Sequence, residues 1–448
     1  MSGKPRFPGI VWPDIPVAPD AHLLALLFQL DQTQWWPLER LRGAQLSQLR
    51  PLLRHAYTHS AFYGERMRAS DFDPFADFGW DEFQSLPLLT RAELQAHGER
   101  LDCRGGLKDH GECVLATSSG STGRPVQFYS TAATRLAWQA MTLRDHVWHR
   151  RDLSLKLASI GDFKNPADLP NWGNPAAAVA ITGPAAVMSI EEAADVQLDW
   201  LLQQQPGYIL TYATNLDALL RLSKSRGIRI RQLREARTLA ETLPPGLRTY
   251  CEEVWGVPLT DMYSSREAGY IALQCPQGTH YHVQAENAVV EILDDHDRPC
   301  KPGAEGRVVL TILNNFATPM IRYEIGDIAV PGTACACGRG LPVVDRVAGR
   351  IRNLLTLPNG ERRFPDFGVA FYGDIAPVRQ FQIVQKTRER LELHAVVTRV
   401  PTSHEAARIK RRLNSQLKAE FAIEIIVRDA IPRGPGGKYE EFRSEIAP

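Results

Sequence analysis

The chain has 448 residues, 44% of them hydrophobic and 23% charged, with a formal net charge of +1. That length exceeds one ordinary core, so two or three domains are expected, and the balanced charge excludes broad electrostatic attraction to nucleic acid or membrane as the organising feature. The longest apolar run, "LLALLFQL" (23–30), is too short for a bilayer span, the N-terminus lacks a signal peptide's apolar segment, and seven scattered cysteines do not form a disulfide pattern, so a cytoplasmic protein is expected.

In chain order, residues 20–70 read as helices. "AHLLALLFQLDQ" and "LERLRGAQLSQLRPLLRHAYTHSAFYGERM" carry apolar residues at three-four spacing. "SLPLLTRAELQAH" offers Thr90 as an N-cap with Glu93 three residues on, a capping box. From about 110 to 270, strand-like runs ("CVLATSS", "LKLASIG", "AAVAITG", "GYILTYA") alternate with helical ones such as "TAATRLAWQAMTLRDHVW", which predicts a mostly parallel α/β sheet. After 280 the texture is β-rich, with "YHVQAENAVVEILDD", "EGRVVLTILNN" and "MIRYEIGDIAVPG" separated by turn residues. "VAGRIRNLLTLPNGERRF" reads as a hinge and hairpin, and the tail 375–448 as β-β-α-β.

The stretch "TSSGSTGRP" (117–125) concentrates small, hydroxylated and glycine residues between two strand-like flanks and before a helix. Gly120 and Gly123 permit backbone angles that turn N–H groups inward around an anion. Ser118, Ser119, Ser121 and Thr122 add hydroxyls, and Arg124 adds a guanidinium fork suited to phosphate. The spacing is not G-x-x-x-x-G-K-[ST], and a flexible surface loop has the same composition. Further along stand "MYSSREAGYIA" with Glu267, "TPMIRYEIGDIA" with Arg322 and Asp327, "VAGRIRN" with Arg350 and "GPGGKYEEF" with Lys438.

Together these elements resemble the adenylate-forming superfamily, most closely its phenylacetate–coenzyme A ligase branch. The family's T-S-S-G-T-T-G-K-P loop is similar to "TSSGSTGRP", its Y-G-x-[ST]-E to "YSSRE", its R-Y-x-x-G-D to "RYEIGD" and its G-R element to "GRIRN". Weaker echoes, "LPLLTRAEL", "SAFY" and "LAETLPP", extend the resemblance from about residue 45 to the tail. It implies a large N-terminal adenylation domain (1–348: a helical part to 110, an α/β core over 111–275 and a β-rich subdomain over 276–348) and a small mobile α+β domain (349–448). It implies ATP-dependent activation of a carboxylic acid, aromatic by family default, to an acyl adenylate. Transfer to coenzyme A, a carrier protein or an amine follows.

The same resemblance implies residue roles. Ser118 to Arg124 hold the β- and γ-phosphates, Glu267 ligates Mg²⁺, and Asp327 accepts the ribose hydroxyls. Arg350 supports ribose or phosphate, Tyr263 lies near adenine beside Ser264 and Ser265, and Lys438 bridges the carboxylate and α-phosphate. Trp138, Met141, Tyr212 and Trp172 are candidate liners of the acid pocket, although Trp and Met at helical spacing also serve as core.

Three departures stand out: Arg124 replaces the usual lysine, Ser264 the usual glycine, and Arg352 the usual acidic hinge residue. Arg352 bears on domain rotation and keeps open a nucleotidyl transferase that delivers AMP to a hydroxyl; a fold whose chemistry has lapsed is the remaining alternative. "CPQGTHYHV" and "CACGRG" offer Cys275, His282 (or His280), Cys335 and Cys337 as a Cys₃His zinc site, an arrangement the branch shares; free thiols in turns are the bland alternative. His55 and His59 lack the Glu of a metalloprotease motif, and basic "RIKRRL" reads as a solvated helix face.

Overall fold

The computed structural model describes residues 15, 16, 18, 20–118, 125–365, 372–434 and 439–446. The N-terminal helices are α1 (Asp20–Thr33), α2 (Leu38–His59), α3 (Ala61–Ala69), α4 (Trp80–Ser85) and α5 (Arg91–Ala96). The long run after Leu38 is two helices rather than one. Ser60 ends α2 in an extended conformation, and its hydroxyl caps α3 by accepting from Tyr63 N. The capping box at Thr90 is formed in full.

Strands β1 (Val114–Thr117) and β2 (Gln127–Ser130) then pair antiparallel as a separate two-stranded sheet, ahead of α6 (Ala132–Trp148). The strand-like flanks of the serine-glycine stretch are thus the two strands of a hairpin, with the helix following. The segments that follow are β3 (Leu157–Gly161), β4 (Ala167–Leu169), α7 (Ala176–Val179), β5 (Ala185–Ser189), α8 (Ala194–Gln204), β6 (Tyr208–Thr211), α9 (Ala213–Arg226), β7 (Glu235–Leu239), α10 (Leu247–Trp255) and β8 (Leu259–Ser265). "AAVAITG" is not a strand. Pro175 stands just before a short alanine-rich helix, and the strand is the next apolar run, β5.

Strands β3, β5, β6, β7 and β8 run parallel, as the alternation predicts. Six more strands complete the half that includes the β-rich region: β9 (Gly269–Gln274), β10 (Tyr281–Val283), β11 (Ala288–Leu293), β12 (Gly306–Ile312), β13 (Tyr323–Pro331) and β14 (Val343–Arg350). They do not fold back as a separate sheet. β9 pairs antiparallel with β8, β10 with β9 and β14 with β10, so one twelve-stranded sheet runs β11-β12-β13-β14-β10-β9-β8-β7-β6-β3-β5-β4.

Beyond Arg350 the chain makes a one-turn 3₁₀ segment (Ile351–Asn353) and the hairpin β15 (Leu355–Thr356) and β16 (Arg362–Arg363). A four-stranded sheet follows from β17 (Val378–Gln385), β18 (Arg390–Val397), β19 (Ala422–Arg428) and β20 (Phe442–Ser444), in the order β19-β18-β17-β20, covered by α11 (Ser403–Leu417). The tail thus follows the predicted order with a short final strand added. This sheet has its own core, from Leu355 through Ile383, Leu393, Ile409 and Leu413 to Phe442. Among the described residues, no helix is long and apolar enough to cross a membrane.

Candidate active site and metal cluster

Strand β13 alternates inward and outward, and Asp327 falls on the inward side with Tyr323 and Ile325. A carboxylate on a buried strand face needs partners, and it has two. Tyr263 OH donates to Asp327 Oδ2 at 2.7 Å, and Arg350 Nε lies 3.2 Å from Oδ1. Arg350 is Asp327's cross-strand neighbour on β14. Burial and the adjacent carboxylate push the Tyr263 phenol well above its ordinary range, while Asp327 chiefly raises the Arg350 pKa. Gly349 sits at φ +141°, and a Cβ there would meet the Phe364 ring at 2.7 Å, so the residue before Arg350 must be glycine.

Tyr263 comes from β8, whose hairpin with β9 carries Glu267 in its turn. Ser265 Oγ accepts from Ala268 N at 3.0 Å, and Asn287 Nδ2 donates to the carbonyls of Ala268 and Tyr270, which fixes the turn. Glu267 is buried, with Arg91 Nη1 3.9 Å from its Oε1. Arg91 Nη2 also donates to Ser118 Oγ at 3.3 Å, and Arg266 Nη1 donates to Thr117 O at 3.1 Å. The tip of one hairpin therefore rests against the base of the other. Ser118 closes that base, accepting from Val126 N through Oγ at 2.8 Å and donating its own N–H to Val126 O. Ser119, Gly120, Ser121, Thr122, Gly123 and Arg124 lie outside the described residues, as does Lys438.

Two residues within the weak echoes belong to this neighbourhood and went unassigned in the sequence. Arg91 is the first residue of α5. Glu241 follows β7 and accepts Thr214 N and Thr214 Oγ1 on one oxygen and Tyr439 N on the other, at 2.8–2.9 Å. It thereby ties the segment after Lys438 to the large sheet. Conversely, Arg322 is turned away from the site. It sits at φ +49°, just before β13 begins, and pairs with Glu291 while donating to the carbonyls of Gln84 and Leu86.

Of the proposed pocket liners, Trp138 is 42% exposed, packs edge-on against Tyr270 and faces Gly269. Met141 is buried in the core under α6, Tyr212 is buried beside α9, and Trp172 packs edge-on against His146 and Tyr208. His55 bonds the carbonyls of Cys103 and Phe316, and its ring lies 4.5 Å from that of His59.

The cysteine and histidine elements do converge. Ligand atoms of Cys275, His282, Cys335 and Cys337 all lie within 4.8 Å of one another. Cys275 Sγ and Cys335 Sγ are 3.8 Å apart, and Cys337 Sγ is 3.3 Å from His282 Nε2. His280 Nε2 approaches Cys335 Sγ at 3.0 Å from the edge of the group. Burial lowers the His282 pKa to about 4, so its imidazole is neutral and able to donate a lone pair.

No protein-family model matches the chain. It is 22% identical over 441 residues to a phenylacetate–coenzyme A ligase of Escherichia coli, spanning 92% of this chain and 97% of that protein. It is 24% identical over 444 residues to a phenylacetate–coenzyme A ligase of Thermus thermophilus, spanning 90% and 96%. Among solved structures, a 2-hydroxyisobutyryl-CoA ligase in its postadenylation state, with an acyl adenylate bound, superposes with a TM-score of 0.70. That match has 17% identity and spans 93% of this chain and 92% of that one. The shared fold is that of the adenylate-forming enzymes, with a large N-terminal and a small C-terminal domain.

Proposed function

We propose that this chain, similar to phenylacetate–coenzyme A ligases over nine-tenths of its length, is an ATP-dependent acid ligase that makes an acyl adenylate and passes the acyl group to the thiol of coenzyme A. The observation that carries the reading is the buried Asp327, held by Tyr263 and Arg350, with Arg91 joining Glu267 to Ser118 nearby. Each Asp327 oxygen already has one partner and keeps a second lone pair, so one carboxylate is able to accept both ribose hydroxyls.

In the first half-reaction a carboxylate oxygen attacks the α-phosphorus, the bond to the β-phosphate oxygen breaks, and pyrophosphate leaves. Negative charge is spread over the triphosphate as that bond breaks, so donors and cations fixed beforehand lower the barrier. Ser118 to Arg124 are assigned to the β- and γ-phosphates, Arg350 to the α-phosphate side of the ribose, and Lys438 to the bridge between acid and α-phosphate. Glu267 is the proposed Mg²⁺ ligand; the ion supplies charge neutralisation on the phosphates. In the second half-reaction the coenzyme thiol attacks the acyl carbonyl and AMP departs. Residues 349–448 are proposed as the domain that moves between these steps, and Trp138 as the half-exposed wall of an acid pocket for an aromatic acid.

The cysteine-histidine cluster is proposed as a structural zinc site. Tetrahedral zinc with bonds of about 2.3 Å separates two thiolates by about 3.8 Å, which is the Cys275–Cys335 spacing. None of the seven cysteines is in a disulfide, and a reducing, cytoplasmic setting is proposed.

The test is acid-dependent ATP–pyrophosphate exchange over a panel of aryl, alkyl and amino acids, with Glu267→Ala expected to abolish it. No exchange with any acid would sink the ligase reading. Supplying coenzyme A, a carrier protein, simple amines and hydroxyl acceptors separately, with products identified by mass, then fixes the acceptor.

A further inference from the structure

A cavity of about 390 Å³ opens where the large sheet, the 3₁₀ turn, the β15–β16 hairpin and the last strand meet. Arg91, Arg350, Arg352 and Arg362 line it, together with Glu324 and Ser444. Four guanidiniums thus face one carboxylate, and that carboxylate is engaged elsewhere, since Arg307 Nη1 donates to Glu324 at 2.8 Å. The anions that partner the cavity's arginines sit outside its lining: Asp327 for Arg350, Glu267 for Arg91 and Glu440 for Arg352. Arg362 stands exposed at the mouth. Burial, with Arg350 and Arg91 nearby, draws the Arg352 pKa down to about 10. The guanidinium stays charged at neutral pH, but close enough to its neighbours to be repelled by them.

Arg350, Arg91 and Arg352 each face a carboxylate outside the lining, so an anion in the cavity would share guanidiniums that are already paired on another side. Guanidinium forks match the geometry of phosphate oxygens and engage them in pairs. Size narrows the class further. At about 30 Å³ per water the cavity has room for roughly a dozen, more than one orthophosphate needs and enough for two linked phosphates with part of their hydration.

We propose that this cavity is a diphosphate subsite, in which Arg352 acts with Arg91 and Arg362 to grip the linked phosphates of pyrophosphate or of coenzyme A. The inference rests on the ligase reading for its two candidate sources, both of which carry a diphosphate. It gives Arg352 a task that an acid at that position would oppose. Arg352 is also shared, because Glu440 on the C-terminal segment competes for the same guanidinium.

The experiment is calorimetric titration of the full chain with inorganic pyrophosphate, and separately with coenzyme A, at fixed salt. Arg352→Gln is expected to weaken binding of the diphosphate source about tenfold, with Arg352→Lys intermediate because it keeps charge but loses the fork. Arg362→Gln, at an exposed position where folding is not at stake, is expected to weaken it severalfold. Arg379→Gln, exposed on β17 away from the cavity, should leave affinity unchanged. Loss confined to pyrophosphate identifies the nucleotide's leaving group as the occupant, and loss confined to coenzyme A identifies the coenzyme. If neither titration responds to Arg352→Gln and Arg362→Gln, or if Arg379→Gln weakens binding equally, the subsite is overturned. Exchange activity is scored in parallel. Exchange with unaltered affinities rejects the subsite and leaves the ligase reading standing. Arg352-dependent pyrophosphate binding without exchange for any acid does the reverse.

Discussion

Replacing Asp327 with Asn tests the centre of the site while changing almost no volume. The carboxylate accepts from Tyr263 OH at 2.7 Å, faces Arg350 at 3.2 Å, and is buried. Hydrogen bonds to a charged acceptor contribute about 1.5–3 kcal/mol and neutral ones about 0.5–1.5, so the amide forfeits about 1 kcal/mol per bond. Two ribose hydroxyls make that about 2 kcal/mol, or roughly a thirtyfold rise in the Kd for ATP. Tyr263→Phe removes only a group that orients the acceptor, which corresponds to about two- to tenfold. The two changes share one interaction, so the double variant should fall short of the product of the singles by about 0.5 kcal/mol or more. The assay is equilibrium binding of ATP in the absence of acid, with thermal melts as the control for folding. An Asp327→Asn protein that binds ATP as tightly as wild type refutes the ribose assignment. Strictly multiplicative effects would show that Tyr263 does not act through Asp327.

The metal cluster should yield about one equivalent of zinc per chain, lost in Cys337→Ser and His282→Ala and retained in His280→Ala, as read by elemental analysis. Asp145 lies between Arg151 and Arg237, at 2.6 Å from each, and is 1% exposed; Asp145→Ala should destabilise the protein by about 3–5 kcal/mol in urea unfolding, because it strands buried cations. Burial alone would raise the Asp145 pKa, but Arg151 and Arg237 outweigh it and hold it well below the ordinary value. Its contribution is therefore present above the unfolded pKa of about 3.9 and lost as pH falls through the folded value. Glu441 behaves oppositely. Burial, then the carboxylates of Asp217 and Glu241, push its pKa up to about 7 against the pull of Arg221. Docking of this segment through the Tyr439 N–H on Glu241 should weaken as pH rises from the unfolded carboxylate range to about 7 and Glu441 ionises, read as faster exchange of the Tyr439 amide after correction for intrinsic rate. Glu441→Gln should flatten that dependence.

The order of motifs was legible because each consists of residue types that chemistry demands at short spacing, as in "YSSRE" and "RYEIGD". Asp327 also betrayed itself as a carboxylate on an otherwise apolar alternation. What stayed hidden depended on contacts distant in sequence. Arg91 and Arg266 look like surface cations until the two hairpins meet. Nothing local in "LAETLPP" announces that Glu241 receives the N–H of Tyr439 from nearly two hundred residues away. Trp138 and Met141 share a helical spacing, yet one is half-exposed and the other core, because helical periodicity reports a face and not its neighbour. Turn residues mark strand ends without saying which strands pair, and so the β-rich region read as a unit apart when it continues the main sheet.

The ribbon of β8, β9 and β10 carries Tyr263 near the end of its first strand, Glu267 at its first turn, and Cys275 and His282 on either side of its second. Side chains alternate along it, so one inserted residue within a strand would turn every later group to the opposite face. Neither turn can absorb the extra residue harmlessly, since the first holds Glu267 and the second sets the reach between two members of the metal cluster. This stretch should therefore refuse insertions and deletions when the gene is varied at random. By contrast, the exposed turns at 295–298 and 358–361, which hold neither group, should accept them.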